Sequence, residues 1–190
     1  MKTSLSKIDI ARRQLVTAIR LLFDGEDSVS AFSLAANAWE VIDVLCNKER
    51  VLSLSNQSRE QIPSGKDLKY DYINSPYRNF FKHADRDPDA VLARFNEPDV
   101  DALIFLAVED YLRLLKKSPI EFQVFQLWYM SVYSDKLTAD ALSEILETIE
   151  STFPDIGSLA RVDRLAMGKR VLLNAKANKK LLSDEHTEHA

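Results

Sequence analysis

The chain has little of what turn-dense or cross-linked folds need. Four glycines and six prolines in 190 residues are too few for a β sandwich or barrel, which needs a turn signal every few residues. A lone cysteine, Cys46, excludes an internal disulfide and a thiolate zinc site. The opening MKTSLSKIDIARRQ contains no apolar signal core, and no later run of on the order of 18 apolar residues is evident. A cytoplasmic protein that stays off the membrane is expected. Neither sign of charge dominates: 25 basic and 29 acidic residues leave a net charge of −4, which argues against a general polyanion binder. Walker A and Gly-rich dinucleotide loops, zinc-finger spacings and the serine nucleophile elbow are all missing, so no cofactor is expected.

What is present is helical period. From Ser4 to Phe23 the apolar residues Ile8, Ala11, Leu15, Ala18, Ile19 and Leu22 trace one buried stripe. Gly25 stops that helix, and Asp27 or Ser28 can cap the next. The second helix, about Val29 to Lys48, carries Phe32, Ala35, Ala36, Trp39, Ile42 and Cys46 on one side. These two are expected to pack antiparallel. The polar, Ser-rich run from Glu49 to Lys69 has no period and predicts a long loop.

Proline then acts as a helix-start signal at Pro76, Pro88, Pro98 and Pro119. The helices implied are Pro76 to about Ala84, Pro88 to Phe95, Pro98 to Lys117 and Pro119 to about Tyr133. In the last of these, FQVFQLWYMSVY is apolar nearly all round, which predicts a central helix or a subunit interface. Thr138 opens a further amphipathic helix ended by Pro154 and Gly157, and a final helix runs from Ser158 to about Asn178. The expected architecture is all-α: a bundle of six to eight helices. Its core is residues 1–117, helices in 118–180 complete the bundle or build a dimer interface, and 181–190, with His186 and His189, is a frayed tail.

The overall charge conceals one local excess. Between Arg161 and Lys180 seven basic residues face a single acid, Asp163, making this stretch +6 and the rest of the chain −10. Arg161, Arg164, Lys169 and Arg170 are therefore candidates for RNA phosphate contact. The same cations also suit a solvated face near a helix C-terminus.

One constellation carries chemistry: Arg78-Asn79-Phe80-Phe81-Lys82-His83, within SPYRNFFKHADRDPDA. His83 is the one histidine outside the last five residues, and imidazole is the side chain that ordinarily exchanges protons near neutral pH. With Pro76 as the first helical residue, Arg78 falls in the first turn, where unpaired N–H groups suit an anion. Asn79 and His83, four apart, share a face. Arg78 and His83 are about 140° apart around the axis, close enough for a long guanidinium at the helix end to reach the same phosphate. A bidentate cation and a proton-exchanging imidazole are parts suited to cleaving a phosphodiester.

The Arg–polar–x3–His pattern resembles the Rx4-6H signature of HEPN domains, with Arg78, Asn79 and His83 at the signature positions, behind an amphipathic helical pair. The resemblance covers about residues 70 to 95 and that preceding pair. It implies an all-helical, metal-independent endoribonuclease, acting as a homodimer with two motifs facing each other across one composite site. His83 would act as general base or acid for attack by the RNA 2′-hydroxyl, Arg78 would hold the scissile phosphate, and Asn79 would orient the imidazole or bond a phosphate oxygen. Product ends would be 2′,3′-cyclic phosphates, and an antitoxin or other partner protein fits the toxin–antitoxin and phage-defence settings of the family.

The same residues also suit a non-catalytic nucleotide-binding or protein-interaction scaffold. Arg78 would then pair with Asp85 or Glu97, Phe80 and Phe81 would fill the core, and His83 would cap a short helix C-terminus. Glu40 and Asp43, nearly one turn apart on the second helix, can support Arg78 or His83 if that helix faces the motif; otherwise they sit on a polar flank beside Trp39. His83, Asp85, Asp87 and Asp89 crowd together as hard ligands, but an EF-hand register from Asp85 puts Ala90 where glycine is needed and Asn96 where glutamate is needed, so no metal is expected.

Overall fold

Helix α1, Lys7–Asp24, is fixed at both ends by local chemistry. Ser6 accepts from the Asp9 N–H while the Asp9 carboxylate accepts from the Ser6 N–H, a reciprocal capping box. At the other end Gly25 adopts φ +69° and its N–H closes on Leu21 and Leu22, a left-handed conformation that costs glycine little. Asp27 then caps α2, Ser28–Lys48, through the Val29 and Ser30 N–H groups. The computed structural model describes residues 4–188, with residue 76 described by its backbone.

Helices α1 and α2 form the expected antiparallel pair, and α5, Glu97–Leu115, closes on the other side of α2. The close approach rests on small side chains: Ala31, Ala35, Ala36 and Ala38 are all fully buried, beside Trp39 and Ile42. By length and a mean hydropathy of 1.3, α2 is apolar enough to cross a membrane; in this fold half of that stretch lies buried among the other helices.

The segment expected to be a loop is ordered by its own serines. Ser53 caps α3, Leu54–Gln61, by accepting from the Asn56 N–H. Ser55 is fully buried: it accepts from Trp39 Nε1 at 2.8 Å and donates to the Asp110 carboxylate, which also takes the Ser55 N–H at 3.1 Å. Arg59 adds a two-pronged pair to Asp43 at 2.7 and 2.9 Å. A polar sequence is thus pinned to α2 and α5 by hydrogen bonds rather than by an apolar stripe. Burial pushes the Asp110 carboxyl above its ordinary value, against the pull of the Ser55 bonds.

Two proline signals mislead. Pro76 does not start a helix but lies within one, an 11-residue π-helix over Leu68–Arg78. Its buried residues are Leu68, Ile73, Asn74 and Tyr77, and it carries the i→i−5 bonding of a π-helix, as where the Asn79 N–H closes on the Asn74 carbonyl. A four-residue helix, α4, Asn79–Lys82, continues from it. No helix begins at Pro88: residues 83–96 form turns and irregular chain. Their apolar residues supply no continuous face, since Val91 is 87% exposed. Phe95 instead joins Phe32, Tyr77 and Phe81 in an aromatic cluster.

The remaining helices complete the bundle. Helix α6, Ile120–Val132, buries Phe122, Phe125, Trp128 and Tyr129 inside this chain, so its apolar surface is central rather than left for a partner. Pro119 is its cap, not its first residue. Next come α7, Ala139–Thr152, α8, Arg161–Ala177, and the short α9, Lys179–Leu182; among the described residues there is no strand, and all-α is the fold class. The tail is docked through Glu188 rather than frayed. Ser118 exchanges backbone bonds of 2.9 Å with His186 and Glu188, and Glu188 accepts from Tyr111 Oη at 2.6 Å. His189 lies outside the described residues.

Gly168 of α8 sits where a β-carbon would collide with the ring of Phe23, itself edge-on to Trp128 at 5.5 Å. Gly168→Ala should therefore lower stability by about 1–3 kcal/mol despite alanine's better helix propensity, measurable as a lower urea midpoint. Ser55→Ala strands Trp39 N–H and Asp110, and should cost about 1–3 kcal/mol in the same experiment.

Candidate functional site

The motif hangs from the end of the π-helix, and α2 fixes its arginine. Glu40 of α2 receives Lys69 on one carboxylate oxygen at 2.6 Å and Arg78 on the other at 2.5 Å. Arg78 donates further to Asn37 at 2.9 Å and Asn74 at 3.3 Å. Its side chain is 14% exposed, and the guanidinium is held in one orientation by three groups from two helices. Of the two carboxylates singled out on α2, Glu40 meets the motif, while Asp43 is committed to Arg59. Arg78 pairs with neither Asp85 nor Glu97.

One carboxylate between two cations leaves this cluster at net +1. The Lys69 bond, with Arg78 adding to it against the cost of burial, holds the Glu40 carboxyl below its ordinary value. Arg78, Glu40 and Asn37 line a groove of about 450 Å³ between α1 and α2, with Lys7, Ile10 and Val44 on its walls.

The other two motif residues lie further along. The backbone of α4 links them, the His83 N–H donating to the Asn79 carbonyl at 3.1 Å. His83 is the C-cap of α4, its side chain 32% exposed, with Nδ1 3.8 Å from the Asp85 carboxylate. It does not line the Arg78 groove. The first-turn anion site expected around Arg78 is absent, because the helix runs on through that point and the Asn79 N–H is taken by Asn74 O. Phe81 packs in the aromatic cluster, and Tyr77 anchors the motif's base by donating to Asp99 at 2.7 Å.

The basic C-terminal helix is used differently from what its charge suggests. Arg161 makes a two-pronged bond to the fully buried Asp101 at 2.7 and 3.0 Å and a third to Glu97 at 2.8 Å. Arg164 donates to the carbonyls of Leu159 and Gly157, each at 2.7 Å. Lys169 pairs with Asp24 at 2.9 Å. Of the four RNA-contact candidates, only Arg170 makes no ion pair or side-chain hydrogen bond among the described residues. The internal use of Arg161 had no local sequence signal, since Asp101 lies 60 residues away.

No group of three or more His, Cys, Asp and Glu side chains is arranged to hold a metal among the described residues. Cys46 is buried, with its thiol pushed up to about 12 by burial and by the nearby Asp110 and Asp43 carboxylates, which leaves it unreactive. No family model, curated protein or solved structure matches the chain.

A carboxyl held low stabilises the fold wherever it is ionised. The Glu40 contribution is therefore complete above its ordinary value of 4.5 and is lost as pH falls through the lower folded value. Glu40→Gln should cost about 1 kcal/mol at pH 7. Urea titrations of wild type and variant should converge as the pH is taken below that range.

Proposed function

We propose that the chain is a HEPN-like, metal-independent endoribonuclease whose site is completed between two copies of itself. The observation that carries the reading is the clamped arginine: Glu40, Asn37 and Asn74 hold Arg78 at the edge of a groove, while His83, one turn beyond Asn79, remains at the surface. A pre-oriented guanidinium lowers the cost of ordering it on a phosphate. An imidazole that stays accessible can accept or donate a proton.

In this reading the attacking group is the RNA 2′-hydroxyl. His83 takes its proton as the oxygen closes on the adjacent phosphorus, and the 5′-oxygen leaves with a proton from a second imidazole or water, giving a 2′,3′-cyclic phosphate. Arg78 carries the charge that develops on the non-bridging oxygens, and Asn79 orients the base or a phosphate oxygen. In one protomer His83 lies off the Arg78 groove, which is the reason for invoking a homodimer: a second motif brings another imidazole opposite.

A second reading, a non-catalytic nucleotide-binding or partner-binding scaffold, is favoured by the Glu40 pair, which offsets the charge of Arg78. Incubation of mixed RNA in EDTA separates the two. The nuclease reading expects cleavage by wild type, with Arg78→Ala and His83→Ala each lowering the rate by at least about 100-fold at unchanged helicity, and a dimer by light scattering. Phosphate or nucleotide binding without cleavage by any of the three proteins favours the scaffold.

A further inference from the structure

A second groove, of about 410 Å³, runs between α1 and the start of α6 and carries Arg12, Arg13 and Arg20, with Thr17 between them and Glu121 on the far wall. Its charge is not balanced. Glu121 is a single carboxylate, 4% exposed, shared by Arg20 at 2.6 Å and Lys176 at 2.7 Å. Arg12 is answered by Asp9 at 3.3 Å and Glu188 at 3.7 Å. Arg13 makes no ion pair among the described residues and is exposed. The lining side chains sum to a net positive site within a chain whose overall charge is −4.

The two grooves flank the same helix. Ala11, Leu15, Ala18 and Leu22 face the core; Arg13, Thr17 and Arg20, at i, i+4 and i+7, fall on the opposite side. Lys7, Ile10 and Gln14 turn toward the Arg78 groove. Crossing from one groove to the other means passing over a single helix, about 10–12 Å wide. Arg13 and Arg20 lie about 10.5 Å apart along its axis. That is a row of cations along α1, one helix width from the clamped arginine.

We infer that the α1–α6 groove is a phosphate-backbone subsite for single-stranded RNA, holding the strand on one side of α1 while a neighbouring phosphate is presented to Arg78. The inference rests on the nuclease reading for the identity of the polyanion. It moves the RNA-contacting surface from α8, where Arg161 and Arg164 bond inward, to the outer face of α1. Arg20 is anchored at its tip by Glu121 yet 51% exposed, so it meets a phosphate with little loss of side-chain freedom.

The test is fluorescence anisotropy of a labelled 2′-O-methyl oligouridine, which cannot be cleaved through its 2′-oxygen, on the full chain. Arg13→Gln changes an exposed residue that makes no ion pair among the described residues, so its melting curve should stay close to that of wild type; Arg20→Gln is the second variant. Combined, they should weaken binding at least about tenfold and flatten the salt dependence by about 1.4, or 0.7 per lost phosphate contact on a single strand. Unchanged affinity and salt slope in the double variant, or wild type that binds anionic vesicles and not the oligonucleotide, would overturn the subsite. Weakened oligouridine binding by the double variant, with no cleavage by wild type, supports the subsite while refuting the nuclease. Cleavage lost only in Arg78 and His83 variants, with binding and turnover untouched by the Arg13 and Arg20 changes, refutes the subsite alone.

Discussion

Everything in this bundle is arranged around α2 and the small side chains that let it be enclosed. Four buried alanines allow α1 and α5 to close on it from two sides, and Trp39, fully buried, ties it through Ser55 to α3 and α5. Half of its apolar stretch stays outside that packing. On that remaining edge stand Asn37 and Glu40, and the candidate chemistry hangs on them. A carboxylate on a helix packed from two sides can hold a guanidinium steady in a way that a loop carboxylate cannot, because its backbone has no freedom to follow.

The same economy governs the other charges. Arg161 reaches a buried aspartate, Arg59 pins a polar helix, and Arg20 and Lys176 share one buried glutamate. Buried carboxylates left without these partners would be costly, so much of the C-terminal helix's positive charge serves as internal mortar. What remains outward is distributed by helix geometry rather than by sequence neighbourhood. That is how an acidic chain presents a cationic face along α1.

Much of this was legible in the sequence. The α1 and α2 stripes, the Gly25 stop, the Asp27 and Thr138 caps and the central position of FQVFQLWYM all follow from periodicity and capping rules that act within a few residues. Three of the failures share a cause: the deciding partner lies far away in the chain. Ser55 is fixed by Asp110, the tail by Ser118, and Arg78 by Glu40 rather than by Asp85 or Glu97. Pro76 misled because the start-of-helix rule assumes that an α-helical turn begins there, whereas the chain winds as a π-helix from Leu68 to Arg78. Of the candidate site, the motif and the support from Glu40 were legible. The position of His83 off the Arg78 groove was not, because it depends on that wider winding.

The central claim is that a clamped guanidinium and an accessible imidazole converge on one RNA phosphate. The most direct measurement is NMR of the side-chain signals of Arg78 and His83 during titration with an oligonucleotide in which every 2′-hydroxyl is methylated, in EDTA. The account predicts that the Arg78 Nε–H and the His83 ring signals shift together and saturate at the same oligonucleotide concentration. A His83 ring that stays unmoved while the oligonucleotide saturates Arg78 would contradict it.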